Sequence, residues 1–471
     1  MLIDEKNGND KWHQSMALEM AQLNECETFE NLGKGTPIPE GHTKIPCHFV
    51  CTVKADGRFK SRMVAGGHRT STPVDSTHSG VVSLLGIRMV TFLAELNELE
   101  LWSTDVGNAC LESYTTEKTC IIAGAEFGEL EGCTSRVRKA LHGLKSSGRC
   151  WHDRLHDVLR ELGWTPSKAD SDICMRDCGD HCEYIAVCVD DLLIASNDPK
   201  SITDALTSAP HNFKLKGTGP TTFHLGCNYF RDEDGTLCMS PLTHIERMES
   251  QCISLFGESP KQNIQSPLER NDHPELDESP PLDADGVAKH QSLIGSMQWA
   301  ISLGRFDIAT AVMTMSSFRA APREQHLTRV RRMVGCLCKF RHAALRVRTE
   351  LPDYSDLPVK EHNWARSVYG RVREQKVADA PTPKGKMVIT TTCVDANLCH
   401  DQATGRAVTG VLHCVNQTPI SWHSKKQATV ETMMHGSEFT FHQDTNTTDH
   451  TIAHWCTMPG SPHNGDFHAG W

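Results

Sequence analysis

Two hydrophobic periods organise this chain. Trp12, Met16, Met20 and Leu23 recur at helical spacing and predict a helix over residues 11–36, leading into a Gly/Pro-rich turn. His48–Lys54 and Arg58–Val64 flank Ala55-Asp56-Gly57, a three-residue loop with Gly at the left-handed position, so a β-hairpin is predicted there. That loop places Lys54 opposite Arg58 and Val50 opposite Arg62. One face then collects Lys54, Arg58, Lys60 and Arg62, and the other Cys51, Val53, Phe59 and Met63. Leu99, Leu101 and Ser103 alternate toward Asp105, which puts its carboxylate at a strand end. Trp151, Leu155, Val158, Leu159 and Leu162 line one face of a helix that Gly163 stops.

The run from Tyr184 to Ser196 behaves differently, because Asp190 and Asp191 interrupt an otherwise apolar stretch. Carboxylates buried in strand centres are costly unless paired or bound to metal. A tight hairpin turn that exposes both acids resolves the conflict. Two acids on a turn and a third at a neighbouring strand end make an all-oxygen site for two hard divalent cations. Such a pair can activate a hydroxyl and stabilise the leaving oxygen of a phosphate displacement. An Asp-Asp turn that merely solvates a hairpin fits the segment equally well.

Composition narrows the class. With 471 residues the chain has room for several domains, and 38% hydrophobic and 23% charged content reads as soluble and globular. No run approaches the roughly 20 apolar residues that span a bilayer, so no membrane is expected. The amino terminus lacks an apolar signal region, which makes an intracellular location, cytoplasmic or nuclear, the expectation. Net charge is −11, yet the charges are segregated. Lys44, Lys54, Arg58, Lys60, Arg62 and Arg69 stand against Asp56 alone between Gly41 and Thr70, and a second basic stretch runs from Arg323 to Arg348. The acids gather in Glu269–Asp285. Segregation of that kind suits a channel lined with one sign of charge. Cys174, Cys178 and Cys182, beside His181, would stack if helical, but no paired CxxC completes a zinc site, so ordinary thiols are expected.

Segments in a fixed order carry a resemblance. They are Phe59-Lys-Ser-Arg-Met-Val-Ala-Gly-Gly67, Thr104-Asp-Val-Gly-Asn-Ala-Cys-Leu111, Ala140–Trp151 and Val189-Asp-Asp-Leu192. Leu225-Gly226, Ser292-Leu-Ile-Gly295, Gly304-Arg-Phe-Asp-Ile308 and Ser424-Lys-Lys-Gln427 follow. From about Trp12 to Phe441 the chain resembles the copia-type reverse transcriptases. The resemblance implies an α+β right-hand polymerase of fingers, palm and thumb, followed by a helical connection and a partial ribonuclease H-like α/β domain. The expected divisions are a disordered 1–10, fingers and palm 11–230, a thumb-like 231–265, a linker 266–286, the connection 287–351, a linker 352–386, a truncated ribonuclease H-like region 387–441 and a disordered tail 442–471. Asp105, Asp190 and Asp191 would be the catalytic, metal-holding acids for two Mg²⁺ ions. Lys54, Lys60, Arg62, Cys110 and Ser146 would meet the nucleotide. Asp395 and Glu438 would be the remnant acids of the ribonuclease H-like region, left inactive without a third. Partners would be an RNA template, a DNA primer and deoxynucleoside triphosphates, with the basic helices of 322–348 against the duplex. Oligomeric state is open, and no capsid, protease or integrase part is recognised.

Departures point to decay. The resembled family has an aromatic residue where Cys110 stands, serving as a steric gate against ribose, and Tyr where Cys188 stands. His142, His290, Cys336, Cys338, Cys393 and His435 likewise replace expected Tyr. Tyr to Cys or His is a single codon change, which accounts for 20 Cys against 5 Tyr without invoking metal. A catalytically dead nucleic-acid-binding remnant is therefore the alternative to a working RNA-directed DNA polymerase.

Overall fold

The computed structural model describes residues 2–54, 57–72, 76–356, 384–431 and 433. At its centre lies an antiparallel sheet built from β5 (Glu100–Val106), β8 (Thr165–Pro166), β9 (Ile173–Asp177), β10 (Cys182–Cys188), β11 (Asp191–Ser196) and β12 (Leu215–Pro220). The strand order is β12-β5-β11-β10-β9-β8. Tyr184, Ala186, Leu193 and Ala195 share a core with helix α3 (Leu84–Leu96). Ile185, Val187, Leu192 and Ile194 share another with α4 (Ser147–Glu161) and α5 (Pro199–Thr207). Burial on both faces is why this stretch is apolar at successive positions instead of alternating.

Helix α2 (Lys11–Glu25) buries Trp12, Met20 and Leu23. It stops well before residue 36: Glu27 takes φ +51°, and Phe29–Lys34 forms strand β1. Periodicity there carried past a break that one left-handed residue makes. With β2 (Thr43–Lys44), β6 (Thr119–Ile122) and β7 (Cys133–Val137), β1 forms a sheet ordered β1-β7-β6-β2. The expected disorder of residues 1–10 is also corrected, since α1 (Leu2–Asn7) is helical. Asp4 ties it down by accepting hydrogen bonds from the backbone N–H groups of Trp12 (3.2 Å) and His13 (2.9 Å).

The basic hairpin pairs β3 (Cys47–Val53) with β4 (Phe59–Ala65), and Val50 stands opposite Arg62 as the loop length required. Gly57 takes φ +80°. The apolar face is only half covered. Phe59 packs against Trp12 with ring centroids 4.5 Å apart and Met63 is buried, but Cys51 and Val53 are exposed. The reason lies in how α2 docks. The Ser15 hydroxyl donates to the Phe59 carbonyl, and the Glu19 carboxylate accepts from the Met63 N–H, so α2 follows β4 and leaves β3 uncovered.

Helices α6 (Leu242–Phe256), α7 (Ala284–Ser302), α8 (Ala309–Ser316) and α9 (Glu324–Lys339) share one core around Ile245, Met248, Leu293, Met297, Met315 and Val334. The division expected at 266–286 therefore does not separate two cores. That segment is also held in place: Asp272 and Asp277 both accept hydrogen bonds from the Arg329 guanidinium. A small sheet of β13 (Phe223–His224), β14 (Cys227–Arg231), β15 (Leu237–Ser240) and β16 (Leu345–Arg346) joins the bundle to the central sheet's α3 side.

The last described unit is an antiparallel sheet of β17 (Thr390–Asp401), β18 (Arg406–Val415) and β19 (Thr418–Lys426). Its Val388, Val415 and Ile420 enter the α3 core, and Arg88 of α3 clamps it. The Arg88 guanidinium donates to the carbonyls of Ile420 (2.5 Å) and Ser302 (2.9 Å) and stacks 4.3 Å from the Trp422 ring. Among the described residues this region holds antiparallel strands and no helix, which is less than an α/β unit. Glu438, most of the 352–386 linker and the 442–471 tail lie outside the described residues.

Candidate active site

Asp105 ends β5 and Asp191 begins β11, and the two are direct cross-strand partners. Opposed residues of an antiparallel pair project to the same face with Cα atoms about 4.5–5.5 Å apart. Asp190 occupies the two-residue turn between β10 and β11. Val189, the other turn residue, takes φ +60°, an uncommon conformation for a β-branched side chain that costs on the order of 1–3 kcal/mol. Two hydrogen bonds hold the strained turn. The Trp151 indole N–H donates to the Val189 carbonyl (2.7 Å), and the Val106 N–H donates to the Asp190 carbonyl (2.8 Å). The tryptophan closing the Ala140–Trp151 motif thus positions the turn of the Val-Asp-Asp motif.

The acids repel one another. Burial, then Asp190 and then Asp105 push the Asp191 carboxyl up to about 6. Asp105 is raised as well, by burial and Asp190, against the opposing pull of Lys216, Lys60 and Lys54. The cations responsible come from two directions. Lys54 and Lys60 belong to the basic hairpin, which also carries Arg62, and Lys216 of β12 is the other cross-strand neighbour of Asp105. Burial, Arg62 and Lys54 lower the Lys60 pKa in turn. No ion-pair partner holds these four side chains among the described residues.

Glycines set the hairpin over the acids. A Cβ on Gly67 would lie 2.1 Å from the Gly143 carbonyl oxygen. Gly143 itself takes φ +92°, and a Cβ there would lie 2.3 Å from the Ala65 carbonyl oxygen. Two backbones meet where only glycine fits, with the Ala65 N–H donating to the His142 carbonyl at 2.7 Å.

Cys110 lies within electrostatic reach of this group: burial and Asp190 push its thiol up, and Arg62 pulls it down. Ser146 is different. It is buried, and both its N–H and its hydroxyl donate to the Glu117 carboxylate (2.8 and 2.9 Å), so its hydroxyl proton is committed to anchoring the start of α4. Sequence reasoning missed Lys216 and marked His142 only as a replaced Tyr. The lowered His142 pKa follows from burial, Arg62 and Lys60, against Asp190. Lys216 does not stand out locally; the pairing of β12 with β5 brings it in, and the glycine contact brings in His142.

Cys174, Cys178 and Cys182 lie on the β9–β10 hairpin and not on a helix, with Cys174 and Cys182 buried and Cys178 exposed. Five of the eight cations in the basic stretch of α9 and its flank are paired with acids from other segments, which makes it a poorer phosphate surface. Arg329 pairs with Asp272 and Asp277, Arg331 with Glu258, Arg332 with Glu269, Arg341 with Glu249 and Arg346 with Asp232 and Asp234. Asp395 is exposed on β17, opposite Gly410 of β18.

Comparison with known proteins adds a similarity. Residues 35–251 match the model of the reverse transcriptase (RNA-dependent DNA polymerase) family, a span that contains all three acids. The chain is similar to the copia-type retrotransposon reverse transcriptases. It is 26% identical over 347 residues to the retrovirus-related Pol polyprotein from transposon RE1 of Arabidopsis thaliana, covering 70% of this chain and 22% of the relative. With the corresponding polyprotein from transposon RE2 of the same plant it shares 24% identity over 435 residues, 89% of this chain and 26% of the relative. The chain thus spans about a quarter of the length of these polyproteins. Among solved structures, a foamy viral protease-reverse transcriptase in complex with double-stranded DNA aligns with 94% of this chain and 61% of its own, at 12% identity and a TM-score of 0.28. A likeness that low carries no argument. No helix among the described residues is long and apolar enough to cross a membrane.

Proposed function

We propose that this chain is an RNA-directed DNA polymerase that extends a primer with deoxynucleotides. The observation that carries the reading is the meeting of Asp105, Asp190 and Asp191 beneath Lys54, Lys60, Arg62 and Lys216. On this reading the central sheet is the palm, the β3–β4 hairpin the fingers, and the helices from α6 onward the thumb and connection. The donor set fits hard divalent cations: its ligands are all carboxylate oxygens, and their mutual repulsion is what a bound cation relieves. Asp105, Asp190 and Asp191 would hold two Mg²⁺ ions, which supply activation of the primer 3′-hydroxyl and charge neutralisation at the leaving oxygen. Lys54, Lys60 and Arg62 bind the triphosphate oxygens, and their number matches a polyanion better than a single carboxylate. Lys216 opposes the upward shift of the Asp105 carboxyl. Trp151 holds the turn so that Asp190 and Asp191 keep their orientation.

A second reading has its own observation. Cys110, beside Asp190 and Arg62, offers a small thiol where the related enzymes are expected to present an aromatic ring. A remnant that binds nucleic acid without turnover would look the same at this site. Primer extension on a homopolymer RNA template separates the two. The polymerase requires Mg²⁺-dependent extension that Asp190→Asn reduces by roughly 10³ or more, since a lost metal-holding carboxylate removes several kcal/mol of transition-state stabilisation. No extension at any divalent concentration, with duplex binding retained, selects the remnant.

A further inference from the structure

Behind the turn that carries Asp190 lies a donor cluster that polymerisation does not use. His152 and His156 stand four residues apart on α4, so their rings share a helix face. The rings stack with centroids 4.1 Å apart at 24°. Both present Nε2 to one carboxylate oxygen: Asp172 Oδ1 lies 2.7 Å from His152 Nε2 and 3.7 Å from His156 Nε2. The three donor atoms fall within 4.8 Å of one another. His156 and Asp172 are each 3% exposed, whereas the His152 side chain, at 16%, forms the solvent-facing rim. His156 Nε2 is buried without a hydrogen-bond partner.

We propose that His152 Nε2, His156 Nε2 and the Asp172 carboxylate form a site for one transition-metal dication of the zinc class, with water in the fourth position. Two imidazoles and a carboxylate are a borderline donor set that suits Zn²⁺ and disfavours Mg²⁺, so the site is chemically distinct from the all-oxygen acids of the active site. Donors at about 2.0–2.1 Å from a tetrahedral ion stand roughly 3.4 Å apart. The 2.7 and 3.7 Å spacings straddle that value, so modest side-chain movement completes the geometry. An ion also gives the orphaned His156 nitrogen its partner. The outer ring nitrogens already have neighbours that can orient them: Asp153 Oδ1 lies 3.7 Å from His152 Nδ1, and Cys174 Sγ lies 3.9 Å from His156 Nδ1. Backbone closes the far side of the carboxylate, for a Cβ on Gly80 would lie 2.2 Å from Asp172 Oδ2.

The site touches the β10 arm and the turn of the catalytic hairpin. The Asp172 carbonyl accepts from the Val187 N–H (2.8 Å), and His152 follows Trp151, whose indole holds the Val189 carbonyl. An ion fixing His152 against Asp172 therefore braces the Asp190–Asp191 turn from behind. Cys178, His181 and Glu183 also approach within 4.8 Å. That group is a weaker host, because the Glu183 carboxylate already accepts from Arg176, Ser196 and the Asn197 N–H.

The test uses the full chain, stripped by a chelator and titrated with Zn²⁺ against a chromogenic competitor in excess Mg²⁺. One equivalent should bind with micromolar affinity or tighter and raise the melting temperature. His152→Gln and Asp172→Asn should each weaken binding by at least about 10- to 100-fold, the range produced by losing even an outer-sphere partner. Cys178→Ser should leave it unchanged, and Co²⁺ in place of Zn²⁺ should give tetrahedral ligand-field absorption without a thiolate charge-transfer band. His156→Gln removes a buried ring and can fail to fold; His152→Gln, at the rim, then decides the matter alone. No tight equivalent, unchanged affinity in His152→Gln, or a thiolate band lost in Cys178→Ser overturns the proposal. None of these readouts depends on polymerase activity.

Discussion

Replacing Asp191 by Asn should stabilise the metal-free protein. Burial and the charges of Asp190 and Asp105 hold the Asp191 carboxyl at about 6, against 3.8 for an unperturbed aspartate. The folded state therefore binds this proton more tightly than the unfolded chain, and ionising the group works against folding. The penalty is absent below pH 4, grows between about pH 4 and 6, and is constant above. A shift of about two units corresponds to roughly 3 kcal/mol at most. The side chain is partly open to solvent, so screening reduces this to about 1–2 kcal/mol. Asn keeps the shape and has nothing to ionise. In EDTA at pH 8, Asp191→Asn should melt about 1–2 °C above the parent in scanning calorimetry, with the gap closing as pH falls toward 4. Mg²⁺ should raise the parent's melting temperature and do little for the variant. A variant that melts lower at pH 8, or whose advantage does not shrink on acidification, would refute the electrostatic account of this cluster.

Cys110→Tyr should raise the preference for deoxy- over ribonucleotides in kcat/KM by about 10- to 100-fold if Cys110 lies under the nucleotide sugar; a lower melting temperature with unchanged preference would instead mark it as a packing residue. Trp151→Phe keeps the ring but loses the donor to Val189, so kcat should drop about tenfold with nucleotide KM little changed, and an unaltered kcat would remove Trp151 from the support of the turn. Gly67→Ala should destabilise by about 1–3 kcal/mol or more in denaturant melts because its Cβ meets the Gly143 carbonyl, whereas Gly219→Ala, with open space around it, should cost less than about 1 kcal/mol.

The local features of this chain were legible from residue order alone. The three-residue loop with Gly57 set the β3–β4 register, because turn geometry and a period of two leave one alignment that sorts the side chains. The apolar stretch around Asp190 and Asp191 required a turn, because two adjacent carboxylates cannot stay in a buried strand unaided. The spacing of Trp151, Leu155, Val158 and Leu159 likewise fixed the buried face of α4. Each of these is a short-range demand. What the sequence could not supply were partners distant along the chain. The arginines of α9 read as a phosphate-binding surface until Arg329 is seen against Asp272, 57 residues away, and its neighbours against other acids. Lys216 looked like any strand lysine until β12 paired with β5 and set it opposite Asp105. His152, His156 and Asp172 gave no recognisable ligand spacing, because α4 and the segment before β9 meet only when the central sheet is packed. A charge is free or satisfied according to what lies a few ångströms away, and sequence spacing reports that distance only within one helix, strand or turn. Across elements it is set by how the cores close, which is where tertiary structure alone decided the chemistry of this protein.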